Sequence, residues 1–500
     1  MKNLIKQYDR LIGAALLSGT AFLPAFGAGE ARPNILLIHC DQQRFDCLSY
    51  NGNPIVRTPN IDRLASQGMR MNNAFTPIPT SCPARQTLLT GQWPEIYGGL
   101  WNYDITLPTK LFDSPTWSQA LTDSGYANGY VGKWHVHPVK DPTAFGFRDY
   151  VGLGEYPKWR KANNVEGRTH QTGPTPVMGG YDDTPASQSV THWMVDRTVE
   201  LIEKYHTEGK PWHVRIDHTE PHLPCFPAKE FYERFANMEI PAWGNFADDF
   251  KDKPYIQKQM VYNWGLENYT WQKEWQNYMR SYYAIVEQMD DAIGKLMQAL
   301  EKRGLLKNTV VIYTTDHGDA AGSHRMLDKH YVMYQEIVHI PMIVRWDGVV
   351  KPGTECNEFV ICQLDLATTF VELAGVNFPT QGRSLVPLLK GQKPTDWRKY
   401  AFSNYNGQQF GLYVQRMIFD GRYKYVWNLS DTDELYDLES DPWEMSNLIP
   451  QATAKSADPA LAKHLATLRK ALYNDLQLRN DPIVRPSGPA SKHLLQGKKL

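Results

Sequence analysis

Short apolar runs alternate with longer amphipathic stretches along most of the chain. The runs with the length of buried strands are Asn34–His39, Asn128–Gly132, Trp212–Asp217, Thr309–Thr314 and Pro341–Arg345. Apolar runs of about four to eight residues between turn signals are typical of strands that are buried on both faces. Because helical patterns separate them, the sequence predicts an α/β sheet with helices on both faces.

The helical patterns between these strands have recognisable ends. Thr58-Pro59 has the residue types of a helix start, and Gly68 those of a helix end. Further helices are predicted over Ser189–Tyr205, Gln276–Arg303 and Gln363–Ala374. Active sites of such folds lie beyond the carboxyl ends of the strands, so the residues that follow each apolar run are the first candidates for chemistry.

The pattern changes after Gly391. Short aromatic runs separated by Gly and Asp turns predict a small antiparallel sheet over Tyr400–Asn404, Leu412–Phe419, Tyr423–Trp427 and Glu434–Leu438, and Leu461–Leu478 predicts a terminal helix. We therefore expect a catalytic α/β domain over residues 29–390 and a C-terminal subdomain over 391–500. The Gly- and Pro-rich segment Gly152–Tyr181 is interpreted as an excursion, a long insertion that passes over the expected active site.

The first residues have the pattern of a secretory signal peptide. Positive charges at Lys2, Lys6 and Arg10 precede the apolar run Leu11–Ala25, and small residues follow. The run is short for a membrane span, although a membrane anchor is the alternative interpretation. We expect a signal peptide over residues 1–28 and a mature protein, without a membrane span, exported to the periplasm or beyond in a Gram-negative bacterium.

Charge and cysteine content narrow the function classes further. The 500 residues carry 53 Lys and Arg against 54 Asp and Glu, a formal net charge of -1. This balance provides no general basic surface for nucleic acid or an anionic membrane. Six cysteines without a C-x-x-C pair are too few for a disulfide scaffold, and buried free thiols are expected, with a Cys356–Cys362 pair as the alternative.

Two predicted strands end in an acid followed by a second donor. Asp41-Gln42 follows the first strand, and Asp316-His317 follows a later one. Carboxylate and amide oxygens favour Ca²⁺ or Mg²⁺ over zinc, and histidine adds a nitrogen. The pairs predict a site for one Ca²⁺, with Mg²⁺ as second choice. The alternative is that these acids are helix caps.

The segment Ser81-Cys82-Pro83-Ala84-Arg85, followed by Thr90-Gly91, resembles the signature of the sulfatase family of the alkaline phosphatase superfamily. Further blocks similar to that family are Asn34–Gln42, Thr58–Ala65, Gly132–His135, Pro221–Pro224, Asp316–Asp319, Leu327–Lys329, Gly382–Leu385 and Glu434–Leu438. The resemblance covers most of the chain. It implies a large mixed sheet sandwiched by helices, as in alkaline phosphatase, and hydrolysis of sulfate esters.

The resemblance also implies roles for individual residues. Ser81 would be oxidised to formylglycine by a maturase able to act on serine, and the hydrated aldehyde would attack sulfur. The implied metal ligands are Asp41, Gln42, Ser81, Asp316 and His317. The implied catalytic residues are Ser81, Arg85, Lys133, His135, His222 and Lys329. Of these, Arg85, Lys133 and Lys329 would neutralise the sulfate, His222 or Lys329 would protonate the leaving alcohol, and His135 would hold the second hydroxyl.

Two departures from the commonest family pattern reduce the charge expected around the metal: Gln42 and His317 stand where Asp and Asn are frequent. The expected substrate is a sulfated saccharide, such as a glycosaminoglycan or algal fragment. Candidate sugar contacts are the aromatic segment Tyr150–Trp159 and Trp101, Tyr103, Trp243, Tyr405 and Arg416, with packing in the core or on the surface as the alternative for each. Alternative functions are a phosphonate or phosphodiester hydrolase of the same superfamily and an inactive sulfatase-like sugar-binding protein. The sequence does not indicate an oligomeric state.

Overall fold

A computed structural model describes residues 32–103, 111–263, 265–329, 331–408 and 411–497. The predicted signal peptide lies outside this range. The strands are β1 Asn34–Asp41, β2 Met69–Met71, β3 Ala74–Phe75, β4 Ala127–Gly132, β5 Asp149–Gly152, β6 Thr169–Gln171, β7 Gly180–Asp182, β8 Trp212–Pro221, β9 Thr309–Thr315, β10 Met342–Trp346, β11 Thr354–Cys356, β12 Val360–Ile361, β13 Ala401–Gln408, β14 Gly411–Phe419, β15 Tyr423–Asn428 and β16 Glu434–Asp437.

The α-helices are α1 Pro59–Gln67, α2 Ser81–Thr90, α3 Pro94–Tyr97, α4 Trp117–Asp123, α5 Glu155–Ala162, α6 Val190–Thr207, α7 Lys229–Tyr232, α8 Tyr255–Asn263, α9 Gln276–Lys302, α10 Gln335–Val338, α11 Cys362–Ala374, α12 Val386–Leu389, α13 Ile449–Thr453, α14 Pro459–Leu478 and α15 Pro489–Gln496. The predicted helices are confirmed. Thr58 is the N-cap residue of α1, and Gly68 and Gly375 follow the ends of α1 and α11.

A central sheet of eight strands has the order β11-β2-β10-β9-β1-β8-β4-β5. Strands β9, β1, β8, β4 and β5 are parallel neighbours, whereas β10 is antiparallel to both β9 and β2. The predicted large mixed sheet is therefore confirmed, and all five predicted strands belong to it. Because β1 and β9 are parallel and in register, with Cys40 opposite Thr315, their carboxyl ends meet at one edge.

Each face of β1 is buried in a different hydrophobic core. Leu36 and Ile38 belong to the core that includes helices α6 and α9, and Ile35 and Leu37 belong to the core that includes α4 and α11. Side chains alternate across a strand, so an unbroken apolar run requires cover on both faces. The helices supply that cover, as the sequence predicts.

The C-terminal sheet has the order β13-β14-β15-β16 and is antiparallel throughout. Helix α14 packs against β14 and β15, and the sheet shares the core of α9. Within the predicted excursion, α5 is followed by the short hairpin of β6 and β7. The boundary at residue 391 remains a prediction.

Two further expectations concern the cysteines and the membrane. All six cysteines are buried and unpaired with one another, so the Cys356–Cys362 disulfide is not formed. Among the helices that the structure describes, none is long and apolar enough to cross a membrane.

Candidate active site

Three chain segments converge at the carboxyl edge of the sheet. Asp41 ends β1, Asp316 and His317 follow β9, and Ser81 is the first residue of α2. Ligand atoms of Asp41, Asp316 and His317 lie within 4.8 Å of one another, and all three residues are buried. The Ser81 hydroxyl lies 2.9 Å from Nε2 of His317 and 3.4 Å from Oδ1 of Asp41. The predicted nucleophile therefore lies beside three of the predicted metal ligands.

Arg85 lies one helical turn beyond Ser81 and beneath this cluster. Its guanidinium is fully buried and lies 2.8 Å from Asp41 and 3.3 Å from Asp316. Burial alone would raise the pKa of Asp41, but Lys133 and Arg85 hold it well below its usual range. Asp41 is therefore a carboxylate at neutral pH, which is the form that binds a cation.

A third carboxylate, Asp217, supports Arg85 from below. Asp217 lies within β8 and is paired with both Arg85 and Arg215, with an Nε–Oδ1 distance of 2.6 Å to Arg215. Burial alone would raise the pKa of Asp217, but Arg215, His39 and Arg85 lower it. Sequence reasoning missed Asp217, although it is the last residue of a predicted strand and the strand-end rule applied to β1 and β9 would have found it.

A cavity of about 570 Å³ opens above Ser81. Its walls are formed by Ser81, Asn102, Tyr103, Gly132, Lys133, Trp134, His135, Tyr150, Leu153, Gly154, His222, Leu223, Asp328 and Lys329. The predicted catalytic residues Lys133, His135, His222 and Lys329 thus face one space. Nζ of Lys133 lies 2.6 Å from Oδ2 of Asp41, so the cavity and the acidic cluster are in direct contact.

Lys329 and His222 form a hydrogen-bonded pair, with 3.0 Å between Nζ and Nε2. Nδ1 of His222 lies 2.6 Å from the Leu223 carbonyl, which can only accept, so the ring proton is on Nδ1. Burial, together with Lys329 and Lys133, lowers the pKa of His222 to about 3. Burial opposes the charge of Lys329, but Asp328 and Asp41 raise its pKa. The pair is therefore a neutral imidazole that accepts from an ammonium group.

Gln42 lies between the acidic cluster and Lys329. Its backbone N–H donates to Oδ1 of Asp316 over 3.1 Å, and its side-chain carbonyl accepts from Lys329 over 2.9 Å. Its amide NH₂ donates to Asp319 over 2.8 Å. Gln42 thus contacts the predicted cation site through its backbone N–H, and its neutral side-chain oxygen is bonded to Lys329.

The expected sugar contacts divide into two groups. Tyr103 lines the cavity, where its ring packs against that of His135. Trp101 lines a neighbouring pocket. Trp243, Tyr405 and Arg416 are absent from the described cavity wall. Tyr405 and Arg416 are buried, and Arg416 pairs with Asp481 over 2.7 Å, so the expectation of sugar contacts at these two residues is wrong.

Asn102 is a second residue that sequence reasoning missed. Its side-chain carbonyl accepts from the backbone N–H of Cys82 over 3.0 Å and so satisfies a free donor in the first turn of α2. Asn102 also lines the cavity. No signal in the sequence identifies it, because the contact joins a loop to a helix start 20 positions earlier.

The arrangement has the features of a site for a tetrahedral anion. Two carboxylates and an imidazole offer ligands to a divalent cation beside a hydroxyl group, and two ammonium groups face the cavity above. Cations placed around the non-bridging oxygens of an ester would stabilise the charge of a transferring sulfuryl or phosphoryl group.

Comparison with known proteins agrees with this chemistry. Residues 33–376 match the sequence profile of the family described as Sulfatase, and residues 322–471 match the one described as N-sulphoglucosamine sulphohydrolase, C-terminal. An N-acetylglucosamine-6-O-sulfatase of Bacteroides thetaiotaomicron is 27% identical in an alignment 519 positions long, which covers 90% of this chain and 88% of the relative.

Solved structures share the fold. One, in complex with its substrate D-glucosamine-2-N,6-O-disulfate, has a TM-score of 0.73 and 24% identity over 92% of this chain and 100% of the other. A phosphonate monoester hydrolase of Agrobacterium radiobacter also has a TM-score of 0.73 with 24% identity, over 88% of this chain and 96% of the other.

Proposed function

Because the chain belongs to the sulfatase family of the alkaline phosphatase superfamily and hydrolyses sulfate esters, we propose that its substrates are sulfated saccharides, from which it removes O-sulfate. The proposed reaction uses a formylglycine at position 81 and a bound divalent cation. The observation that supports the proposal is the position of Ser81. Its hydroxyl contacts Asp41 and His317 at the base of a cavity that Lys133 and Lys329 also line.

The residues around Ser81 fit a hard cation. Asp41, Asp316, His317 and residue 81 would hold Ca²⁺, or Mg²⁺ as second choice, and Gln42 would add its neutral oxygen. Formylglycine, once hydrated, supplies a nucleophilic hydroxyl together with a second one, which serine lacks. Arg85 holds Asp41 and Asp316 in place from below, because its guanidinium reaches both carboxylates.

The cavity side chains account for sulfate binding. Lys133 and Lys329 place ammonium groups on the cavity wall, where each would contact non-bridging oxygens of the ester. Helix α2 begins at Ser81, so its N-terminus directs partial positive charge toward the same group. These contacts do not depend on what the sulfate is attached to, so they bind any sulfate ester.

Lys329 is the group that can supply a proton to the leaving alcohol. It is charged, whereas His222 is neutral and its Nε2 is a hydrogen-bond acceptor. A leaving oxygen that replaces His222 as the partner of Nζ receives a proton from Lys329. His222 then holds Lys329 at the cavity wall before the substrate enters.

Three observations support a saccharide as the substrate. The N-terminal residues have the pattern of an export signal. Tyr103 and Tyr150 add aromatic surface to the wall beside the polar groups. A relative named N-acetylglucosamine-6-O-sulfatase covers most of the chain. We propose sulfated glycan fragments met outside the cytoplasm, with a serine-specific maturase as the partner that prepares Ser81.

The test combines maturation with substrate choice. The protein is produced with a serine-competent maturase, and peptide mass spectrometry is expected to show the loss of two hydrogens at Ser81. The product is then assayed on sulfated mono- and disaccharides and on a phosphate diester and a phosphonate ester of matched alcohols. Higher kcat/KM on a sulfated saccharide supports the proposal. Higher kcat/KM on the phosphorus esters, or full activity with unmodified Ser81, contradicts it.

A further inference from the structure

Asp319 is a fully buried carboxylate that accepts four hydrogen bonds. Oδ2 accepts from the Gln42 amide over 2.8 Å and from the Tyr278 hydroxyl over 2.9 Å. Oδ1 accepts from the backbone N–H groups of Ala321 over 2.8 Å and Asp328 over 3.1 Å. None of these four donors is a charged side chain. Among the described residues, the Asp319 carboxylate thus has no cationic hydrogen-bond donor, and burying such a carboxylate is costly, so its presence here indicates a task.

The chemistry of its neighbours fixes the direction of the Gln42 amide. A carboxylate only accepts hydrogen bonds, so the NH₂ group of Gln42 must face Asp319. An ammonium group only donates, so the carbonyl oxygen of Gln42 must face Lys329, which lies 2.9 Å away. The two neighbours demand the same orientation, and the opposite one would place two pairs of like groups in contact.

The same carboxylate holds the loop that carries Lys329. Its Oδ1 accepts from the N–H of Asp328, the residue before Lys329, and Asp328 has a φ of 67°. Ala321, the other backbone donor, has a φ of 44°. Left-handed backbone is unfavourable for alanine and persists there only where the surroundings enforce it, whereas aspartate adopts it more readily. Asp319 therefore contacts Gln42 on one side and the support of Lys329 on the other.

We infer that Asp319 is a positioning residue: it fixes the Gln42 amide so that its carbonyl oxygen, and not its NH₂ group, faces the cation cluster and Lys329. The inference rests on the proposed function. It also explains why a neutral amide is tolerated at position 42, because an amide without a fixed partner could present either end to the site.

Two single substitutions disturb the hydrogen bond between Gln42 and Asp319 in opposite ways. Asp319→Asn can retain an oxygen toward the backbone donors, but it then places its own NH₂ against that of Gln42. Gln42 would turn over and present a donor to the cation and to Lys329. Gln42→Glu places a second carboxylate against Asp319. The double variant, Glu at 42 with Asn at 319, restores one acceptor facing one donor and again directs an oxygen toward Lys329.

The experiment compares wild type, the two single variants, the double variant and Tyr278→Phe. Tyr278→Phe removes another hydrogen bond to Asp319 without touching Gln42, so it is the matched control. Ca²⁺ is titrated into the metal-free proteins by calorimetry, and kcat/KM is measured on a sulfated saccharide after maturation. Thermal unfolding checks that each variant folds.

Each single variant is expected to bind Ca²⁺ about 10- to 100-fold more weakly, as is usual when a partner that orients a ligand is lost. The double variant is expected to recover at least about tenfold of this loss, and Tyr278→Phe to stay near wild type. Additive losses in the double variant, or an equal loss in Tyr278→Phe, would overturn the inference. If wild type binds Ca²⁺ but hydrolyses no sulfate ester, the proposed function fails while the calcium titration still decides this inference.

Discussion

Replacing Lys329 tests the proton supply to the leaving group. Nζ of Lys329 is hydrogen-bonded to Gln42 over 2.9 Å and to His222 over 3.0 Å, and it forms an ion pair with Asp328 over 2.9 Å. The leaving oxygen can take the place of His222, because His222 lines the cavity and its ring is neutral, whereas the Asp328 carboxylate holds the Lys329 ammonium by charge. Lys329→Ala removes the proton source together with one charge that binds sulfate.

The loss of the proton source and the loss of the sulfate-binding charge can be distinguished by the leaving group of the substrate. A sugar alcohol leaves poorly as an anion, so a proton supplied in the transition state accelerates its departure by about 10²- to 10⁴-fold, or roughly 3–5 kcal/mol. An activated phenol leaves well as its anion and gains little from the proton. The lost sulfate contact lowers kcat/KM on both substrates alike. The ratio of the two losses therefore isolates the proton transfer.

The assay measures kcat/KM on a sulfated saccharide and on an activated aryl sulfate for wild type, Lys329→Ala, His222→Ala and Lys133→Ala. Lys329→Ala is expected to lose about 10²- to 10⁴-fold more on the saccharide than on the aryl ester. Lys133→Ala is the control and is expected to lose equally on both, because Lys133 contacts Asp41 and the sulfate site. Equal losses on both substrates for Lys329→Ala and His222→Ala would refute acid catalysis by this pair, while leaving sulfate ester hydrolysis intact.

Three further outcomes are expected. Ser81→Ala should abolish turnover with little change in Tm, since it removes a single hydroxyl group that is both the proposed nucleophile and a proposed metal ligand; residual saccharide turnover near wild type would contradict this. Chelation, and Asp316→Ala, should each abolish activity and calcium binding measured by calorimetry, because Asp316 belongs to the ligand cluster; zinc found by elemental analysis would contradict the choice of metal. Burial lowers the pKa of His218 to about 4 from 6.5, so the unfolded chain binds more protons between these values and the free energy of unfolding rises with pH there. His218→Leu should remove up to about 3 kcal/mol of the rise in unfolding free energy between pH 4 and 6.5 in denaturant titrations, and an unchanged rise would contradict the assignment.

The local features of the fold could be predicted from the sequence. The strand β1 and the helix α9 have hydrophobic patterns that fit only one kind of burial, and the structure confirms both. The segment Ser81–Arg85 lies within about one helical turn, so its resemblance to the family signature could indicate the proposed nucleophile and its arginine without knowledge of distant contacts. Strand ends also indicated Asp41 and Asp316, because parallel strands bring such residues to one edge.

Contacts between distant segments were decided only by the tertiary structure. Asp217 lies in the predicted strand Trp212–Asp217. Only the pairing of β8 with β1 brings it to Arg85, which is 132 positions earlier in the chain. Arg416 is a residue type that can bind sugars, but the structure buries it against Asp481. The direction of the Gln42 amide depends on Asp319 and Lys329, which are 277 and 287 positions away. Residue types and periodicity determine which groups a segment offers, whereas a hydrogen bond depends on which donor meets which acceptor, and that is set by the register and packing of the whole sheet.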